Sequence, residues 1–205
     1  MNARRPFQDK PTIRVEGLTL VRGGRRLFAP ISFAAGPGEY VELLGANGSG
    51  KTSLLRAIAG FLHPRAGSAH IERCEEPSLA LHYVGHANGL KGQASVRAHL
   101  KYWAGLFGGA PSEDFVVKAL NLARVLDAPC RTLSQGQARR LALARLIIAP
   151  RPVWLLDEPA SALDYQGRAV VGELVEGHRA QGGLVLAAVH EPLGPKPSQT
   201  LRLAA

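Results

Sequence analysis

Gly45-Ala46-Asn47-Gly48-Ser49-Gly50-Lys51-Thr52 fits the spacing G-x-x-x-x-G-K-[ST]. It follows an apolar run, Tyr40 to Leu44, and opens a helix-patterned segment, Lys51 to Gly60. A chance glycine turn would lack these flanks, and in this setting the motif has a mechanism. Glycines let successive backbone N–H groups turn inward around a phosphate, and the helix N-terminus adds a favourable dipole. Lys51 supplies a cation to the β- and γ-phosphates, and Thr52 supplies a hydroxyl for Mg²⁺. The cradle is read as running from Gly45 through Ser53.

Working outward, Leu54, Leu55 and Ile58 share one face of the Lys51 helix, with Gly60 and Pro64 as stop signals. Short β-like runs at Leu18 to Val21, Tyr40 to Leu44, Val153 to Leu156 and Leu184 to Val189 alternate with helix-length segments. That alternation is the pattern of an α/β domain with a largely parallel sheet. A second helix pattern runs from about Gln137 to Ala149, with Pro150 and Pro152 marking its end. The 205 residues are enough for one domain with its own core, and no internal repeat interrupts them.

The formal charge of +9 suits a nucleic-acid binder, an anionic lipid face or an ATP-binding surface. Basic residues are dense near the start (Arg4, Arg5, Lys10, Arg14, Arg22, Arg25, Arg26) but form no long run and do not interleave with aromatics. A solvated basic surface is the better reading, and no nucleic-acid partner is expected. Cys74 and Cys130 are far apart in no metal-like spacing and read as buried small residues of a reducing compartment. The N-terminus lacks an apolar leader core, and stretches such as Leu184 to Val189 are too short to span a bilayer, so a soluble, cytoplasmic chain is expected.

Val153-Trp154-Leu155-Leu156-Asp157-Glu158 is an apolar strand ending in two carboxylates, and strand carboxyl ends are where open α/β sheets place ligands. Asp157 is read as a magnesium-shell carboxylate and Glu158 as the base or water-positioner. Just upstream, Leu133-Ser134-Gln135-Gly136-Gln137 resembles the LSGGQ signature of ATP-binding-cassette proteins, with Gln135 in place of the first glycine. Ser161-Ala162-Leu163-Asp164 resembles the family's D-loop and His190 its switch histidine, so the resemblance covers essentially the whole chain. It implies a P-loop NTPase fold with an N-terminal antiparallel β part and a small helical subdomain, at about residues 85–140 of a single 1–205 domain. It also implies ATP hydrolysis with Mg²⁺, and a head-to-tail homodimer with two sandwiched ATP molecules. In such a dimer Ser134, Gly136, Gln137 and Asp164 would serve the opposite subunit's nucleotide. His190 would hydrogen-bond the γ-phosphate.

Two departures stand out. His86, in Leu81-His82-Tyr83-Val84-Gly85-His86, occupies the place of the Q-loop glutamine, where it can still reach Mg²⁺ through water. Arg22, before Gly23 and Gly24, stands where an adenine-stacking aromatic is usual; a planar guanidinium can stack on a base, and a surface charge in a turn is an equal reading. His82 and His86 do not share a metal on an extended strand, where four residues span roughly 13 Å.

Gly85-His86-Ala87-Asn88-Gly89-Leu90-Lys91 and Val189-His190-Glu191-Pro192-Leu193 look like the haem-exporter ATPase group of bacterial cytochrome c maturation. That likeness implies a peripheral ATPase on the cytoplasmic face of the inner membrane, docked on membrane-spanning permease subunits within a haem-maturation complex. The apolar stretch from Val96 to Cys130 (Leu100, Trp103, Leu106, Phe107) suits a helical subdomain receiving a transporter's coupling helix. A transporter ATPase for lipid, lipoprotein or another solute is the near alternative. A soluble cassette protein acting on nucleic acid or ribosomes is the more distant one, since no heptad run is present.

Overall fold

Parallel strands that are apolar on both faces need cover on both. The computed structural model describes residues 7–107 and 113–204; Arg4 and Arg5 lie outside them. In chain order the elements are β1 (Thr12–Thr19), β2 (Val21–Arg22), β3 (Arg25–Arg26), β4 (Ile31–Ala35), β5 (Tyr40–Leu44), α1 (Lys51–Ile58), β6 (Ala66–Glu72), α2 (Pro77–Ala80) and β7 (Leu81–Val84). They continue with α3 (Val96–Phe107), α4 (Glu113–Ala119), α5 (Gln135–Ile148), β8 (Val153–Asp157), α6 (Tyr165–Arg179), β9 (Leu184–Ala188) and β10 (Gln199–Arg202).

The central sheet has the order β10-β5-β9-β8-β7, with every neighbour parallel. An antiparallel sheet, β4-β1-β6, comes from the N-terminal part, and β2-β3 form a separate hairpin. Residues two apart fall on one face. Val41, Leu43, Val153, Leu155, Leu184 and Leu186 join Leu54, Leu55 and Ile58 of α1 and Ile13 and Val15 of β1 in one core. Tyr40, Trp154, Leu156, Val185 and Ala187 join α5 and α6 through Leu141, Ala144, Val171 and Val175 in the other. Val96, Leu100 and Trp103 of α3 and Val116 of α4 extend this second core. The carboxyl ends of β5, β7, β8 and β9 therefore open at one edge of the sheet.

Several boundaries differ from the sequence reading, among them α1, which ends at Ile58, and β8, which extends to Asp157. The run Leu18 to Val21 divides, because β1 ends at Thr19 and β2 begins at Val21, with Leu20 O accepting from Leu27 N–H at 2.9 Å. Helix α5 begins at Gln135 instead of Gln137, because Ser134 and Gln137 form a reciprocal capping box that satisfies its first turn. Strand β9 ends at Ala188, with Val189 donating its N–H to Leu43 O at 3.2 Å. Cys130 is buried and Cys74 half-buried, both unbridged. Among the described residues no helix is long and apolar enough to cross a membrane.

His82 turns inward from β7, donates Nε2–H to Ala149 O at 2.5 Å, and meets the Phe107 ring edge-on. Burial disfavours its charged form and pushes its pKa down from 6.5 to about 4, against the opposing pull of the Ala149 hydrogen bond. As pH falls below 6.5 the unfolded chain takes up a proton that the folded chain refuses until about pH 4. Stability is thus intact above pH 6.5 and is lost on acidification towards pH 4, by on the order of 2–3 kcal/mol from this group. Urea unfolding across that range should show the loss, and His82→Gln should remove most of this share of the slope. An unchanged slope in the variant would assign the acid sensitivity to other groups.

Candidate active site

The loop after β5 turns tightly into α1 because Gly50, its N-cap, adopts φ +96°. A Cβ at Gly50 would also come within 2.7 Å of the Phe28 ring, so both backbone and space require glycine. Lys51 is buried and its Nζ donates to Gly45 O at 2.7 Å and Ala46 O at 3.1 Å, spanning the loop it belongs to. Ser49 Oγ is buried without a hydrogen-bond partner among the described residues, which in a loop of this shape marks a position built to meet a ligand.

Thr52 Oγ1 lies 2.9 Å from Asp157 Oδ2 and 3.1 Å from Asp157 Oδ1, joining the first turn of α1 to the end of β8. Hydroxyl and carboxylate are both hard oxygen donors, a set that fits Mg²⁺. Glu158 follows at φ +51°, in the left-handed region, with its N–H bonded to Ala188 O at 2.9 Å. Its carboxylate is met from two sides. His190 Nε2 lies 2.8 Å from Oε1, and His86 Nδ1 lies 3.5 Å from Oε2. The segments just past three strand ends thus bring three side chains together: His86 after β7, Glu158 after β8 and His190 after β9.

A cleft of about 460 Å³ is lined by Arg22, Leu27, Asn47, Gly48, Ser49, Gly50, Lys51, Thr52, Ser53, His86, Glu158 and His190. The cradle, the two histidines, Glu158 and the Arg22 hairpin are therefore one site. Gly45 and Ala46 shape it through the carbonyls that hold Lys51. Asp157 lies beneath it, buried, behind Thr52. His86 faces Glu158, where the sequence reading sets it by the magnesium shell.

Ser134, Gly136, Gln137 and Asp164 do not line this cleft. Ser134 is exposed at the N-cap of α5, with Gln137 N–H donating to its Oγ at 3.2 Å and its own N–H donating to Gln137 Oε1 at 2.9 Å. Gly136 packs so closely that a Cβ would approach Ala162 O to 2.9 Å, which ties the α5 N-terminus to the turn after Glu158. Asp164 caps α6, its Oδ1 accepting from Gly167 N–H at 2.8 Å.

Residues 28–161 match the family model described as ABC transporter. The chain belongs to the ABC transporter family. It is the ATP-binding, ATP-hydrolysing subunit, and subunits of this kind work with membrane permeases. Over 182 residues the ATPase is 46% identical to the cytochrome c biogenesis ATP-binding export protein CcmA of Rhodopseudomonas palustris strain HaA2, covering 87% of this chain and 91% of that protein. It is 45% identical over 206 residues to the protein of the same name from Cupriavidus necator, covering 96% and 90%. Among solved structures, an ABC transporter ATP-binding protein from Pyrococcus furiosus superposes with a TM-score of 0.79 at 23% identity over 94% of this chain and 97% of that one. A bacterial Atm1-family ABC exporter with ATP bound gives 0.80 at 20% identity over 100% of this chain and 40% of that one; both likenesses concern the fold.

Two buried side chains near the ATPase site escape a reading of motifs. Phe28, buried against Gly50, is distant from the loop in sequence and gives no local signal. Arg139 lies in α5 and reads as one more solvated charge, yet it is 2% exposed. Its neighbours Gln137 and Arg140 give no sequence mark of that burial.

Proposed function

We propose that this ATPase powers haem delivery in cytochrome c biogenesis, with its own cleft and a second copy's α5 N-terminus enclosing each ATP. The observation that carries the haem reading is the likeness, over nearly the whole chain, to relatives named as cytochrome c biogenesis export proteins. The group's marks at Gly85-His86 and His190-Glu191-Pro192-Leu193 agree with it.

On this reading Lys51 exchanges its loop carbonyls for phosphate oxygens when ATP enters, and Asn47 to Ser53 present backbone N–H groups and hydroxyls to the phosphates. Thr52 and Asp157 would hold Mg²⁺, which when bound would neutralise charge on the β- and γ-phosphates. Glu158 accepts the proton of the attacking water or orients it, and His190 moves from Glu158 to hydrogen-bond the γ-phosphate. His86 is close enough to the same carboxylate to share that adjustment and to reach the metal shell through water. Arg22 lines the cleft and its planar guanidinium stacks on the base. Ser134, Gly136, Gln137 and Asp164, absent from the cleft of their own chain, serve the nucleotide of the partner in a homodimer.

The chain acts as one domain, 1–205, with about 85–140 as the helical part that docks on membrane-spanning permease subunits of a haem-maturation complex. Exposed Tyr102, Leu106 and Phe115 on α3 and α4 suit such a contact. It sits peripherally on the cytoplasmic face of a bacterial inner membrane. Cells carrying Lys51→Ala should load haem onto the periplasmic haem chaperone but not release it. Haem staining of membrane fractions should then show haem-bound chaperone accumulating as mature c-type cytochromes disappear. Normal c-type cytochromes would reject the haem role and favour another transported solute, leaving the ATPase assignment intact.

A further inference from the structure

Arg139 is the largest fully buried side chain among the described residues, and it belongs to no motif. Burial lowers its pKa to about 10, so it is charged at neutral pH. A buried guanidinium costs free energy unless its five N–H groups find acceptors, and all five do. Nε donates to Pro159 O at 3.1 Å, Nη2 to Asp157 O at 2.6 Å and to Glu158 O at 2.9 Å, and Nη1 to Gly85 O at 2.8 Å and Asn88 Oδ1 at 3.2 Å. Three successive carbonyls, from Asp157 to Pro159, therefore turn towards one cation.

That convergence falls on a strained turn of the backbone. Glu158 has φ +51° and precedes a proline, a combination that persists only when the surroundings hold it. The holders are now visible. Ala188 O takes the Glu158 N–H, while Arg139 and the Ser161 N–H take the Glu158 carbonyl. The conformation aims the Glu158 carboxylate at His190 and His86. The same guanidinium grips Gly85, the residue before His86, and Arg145 of α5 donates Nη2–H to Asn88 O at 2.9 Å. Helix α5 thus holds both the base and the segment that carries His86, and its own N-cap is Ser134.

We propose that Arg139 is a positioning residue for hydrolysis. It fixes the left-handed backbone of Glu158, and it makes the placement of that carboxylate depend on where α5 sits. Contact of the α5 N-terminus with a second copy's nucleotide is then passed, within the same chain, to Glu158 and to His86. This rests on the reading of Glu158 as the group that handles the attacking water.

The test uses the full chain in membranes carrying the assembled transporter, with ATP binding to the purified chain measured alongside. Arg139→Lys keeps the charge but cannot satisfy three carbonyls and Gly85 together. Its kcat should fall about 10- to 100-fold, the penalty of a displaced catalytic group, while affinity for ATP stays within about twofold, because Arg139 does not touch the cradle. The loss should vanish in a Glu158→Gln background, where no base is left to position. Arg139→Met serves as the severe variant, with circular dichroism and ATP affinity reporting whether it folds; the lysine variant decides the matter if it does not. A wild-type kcat in Arg139→Lys, a parallel loss of ATP affinity, or an undiminished effect in the Glu158→Gln background would each overturn the proposal. Failure of the base reading shows separately, as near-normal hydrolysis by Glu158→Gln alone.

Discussion

Glu158→Gln should bind ATP as the wild type does and hydrolyse it about 10²- to 10⁴-fold more slowly, the range expected on removing a general base. The substitution keeps volume and a carbonyl oxygen for His190, so the 2.8 Å contact can persist and the cleft keeps its shape. What disappears is the capacity to take a proton. Lys51, Thr52 and the glycine loop, the cleft residues that meet the phosphates on this reading, are unchanged, so affinity is preserved. With the chemical step blocked, the ATP-bound dimer should persist longer, which size exclusion in the presence of ATP and Mg²⁺ would detect. Single-turnover hydrolysis near the wild-type rate, above contaminating activity, would remove Glu158 from the role of base.

Mixed dimers provide the second large effect. Ser134→Arg and Lys51→Ala should each abolish turnover alone, the first by obstructing the neighbour's nucleotide and the second by emptying its own cradle. A mixed dimer has one site with an intact Lys51 from one chain and an intact Ser134 from the other. Random pairing of equal amounts should then restore roughly a quarter of wild-type activity if the two sites act independently in a symmetric dimer. Because Ser134 also caps α5, its replacement by arginine costs about 0.5–2 kcal/mol of helix stability. Ser134→Asp separates the two roles, since an aspartate oxygen still caps the helix while its charge opposes a phosphate. It should be inactive alone yet recover in the mixture just as Ser134→Arg does. If either Ser134 variant instead loses ATP binding as an isolated chain, Ser134 serves its own site and the shared geometry fails.

Tightly spaced motifs were legible in the sequence because their chemistry depends on covalent neighbours. Gly45 to Thr52 announces a phosphate cradle through spacing alone, and the apolar strand ending at Asp157 and Glu158 announces a ligand edge. The short apolar runs of β5, β8 and β9, alternating with helix-length segments, announce a largely parallel sheet. The resemblance to cassette ATPases added the roles of Ser134, Asp164 and His190, and the comparisons support the family. Less legible were helix and strand ends, such as the start of α5, where the Ser134–Gln137 capping box outweighed apolar spacing.

Tertiary structure decided what depends on distant residues meeting. Parallel pairing of β7, β8 and β9 brings the segments after them together, so His86 and His190 flank one carboxylate although more than a hundred residues of sequence separate them. The left-handed turn at Glu158 is not preferred by glutamate and follows from partners on β9 and α5. Phe28 reaches Gly50 only because the chain folds back over the loop. Arg139 is the clearest case. Local composition makes it a surface charge, and only the closing of α5 over the ends of β7 and β8 surrounds it with five acceptors, turning an expensive buried cation into the anchor of the site.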